Sequence, residues 1–191
     1  MIYKPSFEPV GHKYQADDGT ELDSVTGIIK GGLGLYQHKR ISAKAEFGTD
    51  VHQTLQYYNE HDLNESTLAE PLKPYLEQYK DACKEHKIEH LQSETMRYEP
   101  DLLFAGTIDM ICKVDGKMSL IDFKTGKIEP WHGLQLGAYS KLMEREITIE
   151  KAYCLYLQAD GFQLTEYDHK QGWQYFLAIM AAAKVRKALG Y

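Results

Sequence analysis

Apolar and polar residues alternate along two consecutive stretches in the middle of the chain, residues 104–114 and 117–124. Alternation of this kind is typical of β-strands with one buried face. The dipeptide Asp115-Gly116 between the stretches favours a two-residue type I′ turn. The pattern therefore predicts an antiparallel hairpin with a tight turn at its tip.

The turn sets the register of this hairpin. When the residues that flank it are paired, Asp109 lies opposite Asp122, and Lys124 lies opposite Thr107 on the same face. The other face then carries apolar pairs, which are Ile108 with Phe123 and Met110 with Ile121. We predict that the apolar face packs on the core and that the Asp-Asp-Lys face forms a site.

Two carboxylates on opposite strands are about 4.5–5.5 Å apart at Cβ and repel each other. A divalent cation bound by both would compensate for this repulsion. Hard cations such as Mg²⁺ take one or two carboxylates and leave their other positions to water and phosphate groups. The register thus predicts a metal site with Lys124 within reach of its water or phosphate.

The remaining pattern predicts an α/β order. We expect helices near 24–30, 42–58, 74–86 and 172–189, together with one that contains Gln135. Further strands are expected near 12–16, 20–22, 91–98, 153–158 and 162–167, and the glycines at 31–34 are expected to break the chain. Tyr75 and Tyr79 belong to an apolar helical stripe, which is core or, alternatively, a surface for stacking bases.

Four short segments that carry polar residues follow one another along the chain. They are Gly48-x-x-x-His52, Gly106-x-x-Asp109, Asp122-Phe123-Lys124-Thr125 and Gln135-x-x-x-Tyr139. In this order the segments resemble the PD-(D/E)XK metal-dependent nuclease superfamily. More narrowly, the chain resembles the RecB-type exonuclease branch, which includes phage exonucleases and the mitochondrial genome maintenance exonuclease.

The resemblance implies a restriction-endonuclease-like α/β core. A central mixed β-sheet would be flanked by helices, with additional N-terminal helices, in one domain over residues 1–191. It also implies a metal-dependent DNA exonuclease that hydrolyses phosphodiester bonds, with a preference for single strands or DNA ends. Replication, recombination or repair is the expected context, the gene is expected to be bacterial or phage-encoded, and a recombinase or single-strand annealing protein is a candidate partner.

The resemblance also assigns roles to residues. His52, Asp109, Asp122 and the backbone carbonyl of Phe123 would hold Mg²⁺ or Mn²⁺, and Lys124 would act in catalysis beside Asp109 and Asp122. The remaining candidates are on the substrate side: Gln135, Tyr139, Thr125 and Glu94. Without the resemblance, a lone helical histidine is more often a surface or core hydrogen-bonding group.

Other copies of the Asp/Glu-x-Lys pattern are expected to be solvated pairs. They begin at Glu85, Asp115 and Asp168, and none of them ends an apolar strand opposite another acid. A rival motif, His86-x-x-Glu89-His90, matches a zinc-protease pattern that needs both histidines on one helix face. A non-catalytic nucleic-acid-binding module of the same fold is the second alternative.

Composition narrows the remaining possibilities. The 191 residues carry a formal net charge of −6, which weakens long-range attraction to DNA, so binding would depend on the metal and on local basic patches. The candidate patches are 38–40 with Lys44, Lys124 with Lys127, Lys141 with Arg145, and 184–187.

The 3 cysteines are too few for a four-cysteine iron–sulfur cluster and fit a reducing compartment. No long apolar run or signal peptide is visible, so we expect a cytoplasmic protein without a membrane partner.

Overall fold

The computed structural model describes residues 2–8, 13–35 and 43–190. The strands are β1 (Ser6–Glu8), β2 (Lys13–Gln15), β3 (Glu21–Ser24), β4 (Glu89–Glu99), β5 (Phe104–Val114), β6 (Lys117–Lys124), β7 (Lys151–Gln158) and β8 (Gly161–Tyr167). The helices are α1 (Val25–Leu33), α2 (Ala43–Asn59), α3 (Lys73–Glu85), α4 (His132–Met143) and α5 (His169–Leu189), and two short 3₁₀ turns span Glu65–Thr67 and Glu70–Leu72. The basic patch at 38–40 and the side chain of Lys44 lie outside the described residues.

The strands form one mixed sheet in the order β1-β2-β3-β5-β6-β7-β8, and β4 also pairs with β5. The β3–β5 and β6–β7 pairs are parallel, and the other pairs are antiparallel. One face of the sheet packs on α1, α4 and α5, and the other packs on α2 and α3. The predicted α/β class, a mixed sheet flanked by helices, is confirmed.

The central hairpin has the predicted turn. Asp115 and Gly116 have φ values of 47° and 78°, and positive values at both central positions are what a type I′ turn requires. Pairs run from Val114 with Lys117 to Met110 with Ile121, in the predicted register. Beyond Ile121 the two strands separate.

The separation follows from the way β5 shares its edges. Strand β4 occupies one edge from Phe104 to Lys113. The other edge is divided, because the β3 ladder reaches Ala105 and the β6 ladder begins at Met110. Residues 106–109 therefore lie in a fork between β3 and β6. The predicted continuation of the β5–β6 register through this stretch is wrong.

The prediction that Ile108, Met110, Ile121 and Phe123 all lie on one face of the hairpin is also wrong. Met110, Ile121 and Phe123 pack in the core beneath α2 and α3, whereas Ile108 packs on the opposite side of the sheet. The change of face coincides with an irregular backbone on β4, where Glu94 has a φ of 45° between the pairs that involve Ile108 and Met110. Both faces of the hairpin are covered by core, so the acidic residues are buried instead of lying on a solvated face.

Helix α1 begins and ends at clear signals. Ser24 Oγ accepts a hydrogen bond from the N–H of Gly27 at 3.0 Å, as expected for an N-cap. The helix ends at Gly34, whose φ is 69°. Because α1 continues through Leu33, the predicted break at 31–34 begins too early. A Cβ at Gly32 would lie 2.4 Å from the carbonyl oxygen of Ile179. Glycine at this position allows α1 to pack directly against α5.

The tyrosines of α3 belong to the core. Tyr79 is fully buried, and the Tyr75 ring packs edge-on against Phe47 at 5.1 Å. These contacts support the core interpretation over base stacking. In the described part of the chain, none of the helices combines the length and the apolar character needed to cross a lipid bilayer.

Candidate active site

A cleft of about 1270 Å³ opens over the fork in the sheet. The first turn of α1 lies on one side of it, and the face of α2 that carries Gly48 and His52 lies on the other. All four predicted segments contribute residues to the lining of this cleft, and the fourth contributes Gln135 and Tyr139. The fold therefore brings together residues that are far apart in the sequence.

Three side chains from three elements form a candidate metal centre. One ligand atom from each of His52, Glu94 and Asp109 lies within 4.8 Å of the other two. His52 comes from α2, Glu94 from β4 and Asp109 from β5. Glu94 was predicted on the substrate side, and the structure instead brings it into the group that could hold a metal.

Asp109 is held from two sides. Its Oδ2 accepts a hydrogen bond from the N–H of Phe123 at 2.7 Å, and His52 Nδ1 lies 3.4 Å from the same oxygen. Burial raises the pKa of Asp109, but the neighbouring His52 and these hydrogen bonds outweigh it and lower the pKa overall. Burial lowers the pKa of His52, and the charge of Asp109 more than reverses this effect and raises it to about 9.

Glu94 has the opposite electrostatic balance. Burial and then the charge of Asp109 raise the pKa of Glu94 to about 7. A carboxylate in this position is destabilised by its surroundings when no cation is present. The three side chains therefore form a group of two carboxylates and one imidazole in which ionisation of Glu94 is unfavourable.

A second cluster lies next to this group. Asp122 is 1% exposed, forms an ion pair with Lys124 and accepts a hydrogen bond from Gln135 Nε2 at 3.0 Å. Gln135 Oε1 in turn accepts a hydrogen bond from Lys124 Nζ at 3.2 Å, and Gln135 Nε2 lies 2.9 Å from the hydroxyl oxygen of Tyr139. Burial raises the pKa of Asp122 to about 6, although the charge of Lys124 opposes this effect. The ammonium of Lys124 is consequently fixed in place.

Strand pairing and helix packing explain how these side chains meet. Strand β6 leaves β5 and continues beside β7, where Asp122 pairs with Cys154 and Lys124 with Tyr156. Gln135 and Tyr139 lie one turn apart on α4, and a Cβ at Gly106 would lie 2.7 Å from the Tyr139 ring. A glycine is therefore needed where α4 packs against β5.

Two further predicted positions, Gly48 and Thr125, lie close together in the cleft. A Cβ at Gly48 would lie 3.1 Å from Thr125 Oγ1, which identifies the group that approaches the helix at this glycine. Glycine at this position therefore leaves room for α2 beside the end of β6.

Tyr14 lines the cleft and was not predicted as a site residue. Tyr14 from β2 is buried, and its hydroxyl is hydrogen-bonded to Thr107 Oγ1 at 2.8 Å inside the fork. Only the hairpin pattern at 12–22 pointed to this region, and that pattern does not reveal where the hairpin docks. The parallel pairing of β3 with Phe104 and Ala105 brings Tyr14 into the cleft.

The rival zinc motif does not form a site. His86 lies just past the end of α3, Lys87 has a φ of 46°, and His90 lies in β4. His90 Nε2 is 2.9 Å from Ser93 Oγ. The two histidines are thus not one turn apart on a helix, and the zinc-protease alternative loses its structural basis.

The other Asp-x-Lys tripeptides have ordinary structural positions. Asp168 caps α5, where its Oδ1 accepts hydrogen bonds from the N–H groups of Lys170 and Gln171, each at 3.0 Å. Asp115 occupies the hairpin turn. Neither residue lines the cleft.

Comparison with solved structures finds several that are similar to this chain. The crystal structure of a "putative exonuclease" from Eubacterium rectale is 8% identical, with a TM-score of 0.51, and the match covers 85% of this chain and 81% of that one. The crystal structure of SSO0001 (15% identity, 86% and 84% covered) and that of LHK-Exo in complex with dAMP (12%, 88% and 93%) have TM-scores of 0.34 and 0.31. No curated protein matches the chain.

The first of these likenesses agrees with the restriction-endonuclease-like α/β fold described above. The sequence also matches the family model of the PD-(D/E)XK nuclease superfamily over residues 29–188. This range includes all four predicted segments and both clusters of the cleft. The chain belongs to the PD-(D/E)XK nuclease superfamily.

Proposed function

We propose that this protein is a Mg²⁺- or Mn²⁺-dependent DNA exonuclease that hydrolyses phosphodiester bonds. The observation that carries the proposal is the juxtaposition, in one cleft, of the His52-Glu94-Asp109 group with the ion pair of Asp122 and Lys124. An anionic group that could hold a cation thus lies beside a fixed ammonium. Negative charge on a phosphate undergoing hydrolysis is stabilised by positive groups, which here would be the bound cation and the Lys124 ammonium.

The residues present fit a hard divalent cation. Two carboxylates and one imidazole supply oxygen and nitrogen ligands, and imidazole is a ligand that also suits Mn²⁺. Burial and then the charge of Asp109 raise the pKa of Glu94, and a bound cation would offset both effects. We propose Asp109, His52 and Glu94 as direct ligands, with Asp122 and the Phe123 carbonyl completing the set. A cation bound there supplies Lewis acidity toward a phosphoryl oxygen and lowers the pKa of water.

The chain's own residues position and stabilise the reacting groups. Lys124 keeps its positive charge, since Asp122 and Asp109 raise its pKa although burial opposes this. Its ammonium can orient a water molecule or stabilise negative charge on the phosphate in the transition state. Gln135 and Tyr139 are both buried and contact Asp122 or each other. In this proposal Gln135 and Tyr139 hold Asp122 and Lys124 in position beside the substrate.

DNA, as a single strand or at an end, is the proposed substrate. The cleft lies between α1 and α2, and a net charge of −6 leaves the bound metal and local cations as the main attraction for a polyanion. Action in recombination or repair beside a recombinase or annealing protein remains a hypothesis based on the resemblance. The alternative of a non-catalytic module is disfavoured, because Asp109, Asp122 and Lys124 are all present and lie close together.

The test compares linear and closed-circular DNA, single- and double-stranded, with label at either end and with Mg²⁺, Mn²⁺ or EDTA. We expect metal-dependent release of nucleotides from linear single strands, with circles spared. Rapid cutting of single-stranded circles would show an endonuclease and contradict the exonuclease assignment. Absence of cleavage with every substrate and metal would overturn the proposed function.

A further inference from the structure

A second, smaller cleft of about 370 Å³ adjoins the first. It lies where β6 and β7 end and the β7–β8 turn begins. Gly126 lines both clefts, only two residues beyond Lys124, a distance of at most about 7 Å along the chain. The other lining residues used below are Lys127, Ile128, Gln158, Asp160 and Phe162.

One wall of this cleft is apolar and partly exposed. Phe162 is half-buried and packs on the core beneath α3, which fixes its ring, and Ile128 on the other side is 52% exposed. The half-buried ring and the exposed aliphatic side chain both line this cleft, and an aromatic ring offers a surface on which a flat base can stack. Among the described residues, Ile128 belongs to none of the buried apolar clusters.

The remaining lining groups are polar and suit different parts of a nucleotide. Lys127 directly follows the shared Gly126, is exposed and forms no ion pair among the described residues. Gln158 and Asp160 lie beside the β7–β8 turn and offer amide and carboxylate groups. A carboxylate repels phosphate but accepts hydrogen bonds from the amino groups of bases. The charges therefore place a phosphate near Lys127 and a base near Gln158 and Asp160.

We propose that this second cleft binds the nucleotide adjacent to the scissile phosphate, with its base unpaired and stacked on Phe162. The inference rests on the proposed function, because it assigns a subsite to the same substrate. It also specifies the substrate class, because the stacking face and base edges of a nucleotide are accessible in this way only when the strand is single.

The experiment measures binding of fluorescein-labelled thymidine oligonucleotides, lengthened from a dinucleotide to about 12 nucleotides, by anisotropy with Ca²⁺ in place of the catalytic metal. For wild type we expect a stepwise gain in affinity once the strand is long enough to enter the second cleft. Phe162→Leu, which keeps the packing but removes the ring, should lose about tenfold in affinity for the longer strands only. Lys127→Ala, on an exposed loop, should weaken binding and reduce its salt dependence.

Matched controls are Tyr175→Ala and Lys84→Ala, since both residues are exposed and line neither cleft. Both should bind every oligonucleotide as wild type does. Wild-type affinity in both Phe162→Leu and Lys127→Ala would overturn the subsite while cleavage by wild type continued to support the proposed function. Equal loss for double-stranded oligonucleotides would overturn the assignment to an unpaired base. Failure of wild type to cleave any DNA would contradict the proposed function itself.

Discussion

The Asp109 carboxylate supplies the hydrogen-bond acceptor that a neighbouring strand would otherwise provide to β6. Its Oδ2 accepts a hydrogen bond from the backbone N–H of Phe123 at 2.7 Å. This bond spans the fork at the point where the β5–β6 ladder has ended. A buried backbone donor without a partner would cost about 1–3 kcal/mol, so the carboxylate contributes to stability as well as to the site. Asp109 should therefore stabilise the fold. Ionised Glu94 in the same cluster should destabilise it, because burial raises the pKa of Glu94.

We predict that Glu94→Gln raises the melting temperature of the metal-free protein at about pH 8. The pKa of Glu94 is raised from 4.5 to about 7 in the folded protein, so its ionisation makes folding less favourable as pH rises through this range. Removing the charge should add a few degrees, since 1 kcal/mol corresponds to about 2–4 °C for a chain of this size. Calorimetry in EDTA measures the shift.

Asp109→Asn is the matched comparison for Glu94→Gln. The pKa of Asp109 is lowered, so its charge adds stability above its ordinary pKa, and the substitution should lower the melting temperature in EDTA. Mn²⁺ should stabilise wild type, because a ligand that binds only the folded state adds RT ln(1 + [L]/Kd), and both variants should lose most of this gain. Shifts of the same sign for both variants in EDTA would contradict the electrostatic account.

Lys124→Ala should lower the rate of cleavage by more than about a hundredfold, the effect typical of removing a charge that stabilises a transition state. The fold should persist, because the pKa of Asp122 is already raised to about 6 and this carboxyl can take up a proton when its partner is removed. Single-turnover kinetics with Mn²⁺ measures the effect. Lys117→Ala, in the tripeptide at the hairpin turn, should cleave at the wild-type rate. A folded Lys124→Ala variant with near wild-type cleavage would contradict the assignment.

The local features of the central hairpin could be predicted because they depend on neighbouring residues. Alternation and the Asp115-Gly116 dipeptide determine the strand type, the turn and the first five pairs. The fork could not be predicted, since it depends on a parallel pairing between Asp23 and Phe104, far apart in the sequence. The position of Glu94 depends on a register shift between His90 and Gln92 in β4, which leaves no clear pattern of polar and apolar residues.

A hydrogen bond between Tyr14 and Thr107 joins the N-terminal hairpin to the fork, and Tyr14 lies outside the range that matches the family model. We predict that Tyr14→Phe and Thr107→Val each destabilise the protein by about 1 kcal/mol. The double variant should cost less than the sum of the two, because both single changes break the same bond. Urea denaturation of the four proteins measures the coupling. Strict additivity would show that this bond contributes no net stability.

Helix α4 carries Gln135 and lies directly against α5. A Cβ at Gly137 would lie 2.2 Å from the backbone nitrogen of Trp173, and one at Gly172 would lie 2.1 Å from the carbonyl oxygen of Gly133. Gly137→Ala must therefore separate the helices and should cost about 3 kcal/mol. Gly161→Ala is the control, since an added Cβ there meets nothing within 4 Å. Thermal unfolding measures both, and equal stabilities would contradict the close packing.

Low pH should reduce the stability of the folded protein, in part because it breaks the ion pair of Arg97 and Glu146. Arg97 Nη2 donates to Glu146 Oε2 at 2.8 Å, Arg97 Nε donates to Oε1, and the two side chains are only 9% and 14% exposed. These hydrogen bonds lower the pKa of Glu146 from its ordinary value of 4.5, although burial opposes them. The stability from this pair is thus complete above the ordinary value and is lost as pH falls through the lowered one.

Glu146→Gln should therefore cost about 3 kcal/mol near neutral pH, since it leaves the Arg97 guanidinium buried without its charge partner. The difference from wild type should shrink in acid, because protonation removes the same charge from wild type. Urea denaturation at a series of pH values measures both curves. Glu144→Gln is the matched control, because Glu144 pairs with Lys141 on the surface and its side chain is 63% exposed. Parallel curves for wild type and Glu146→Gln would show that this pair has no part in the acid response.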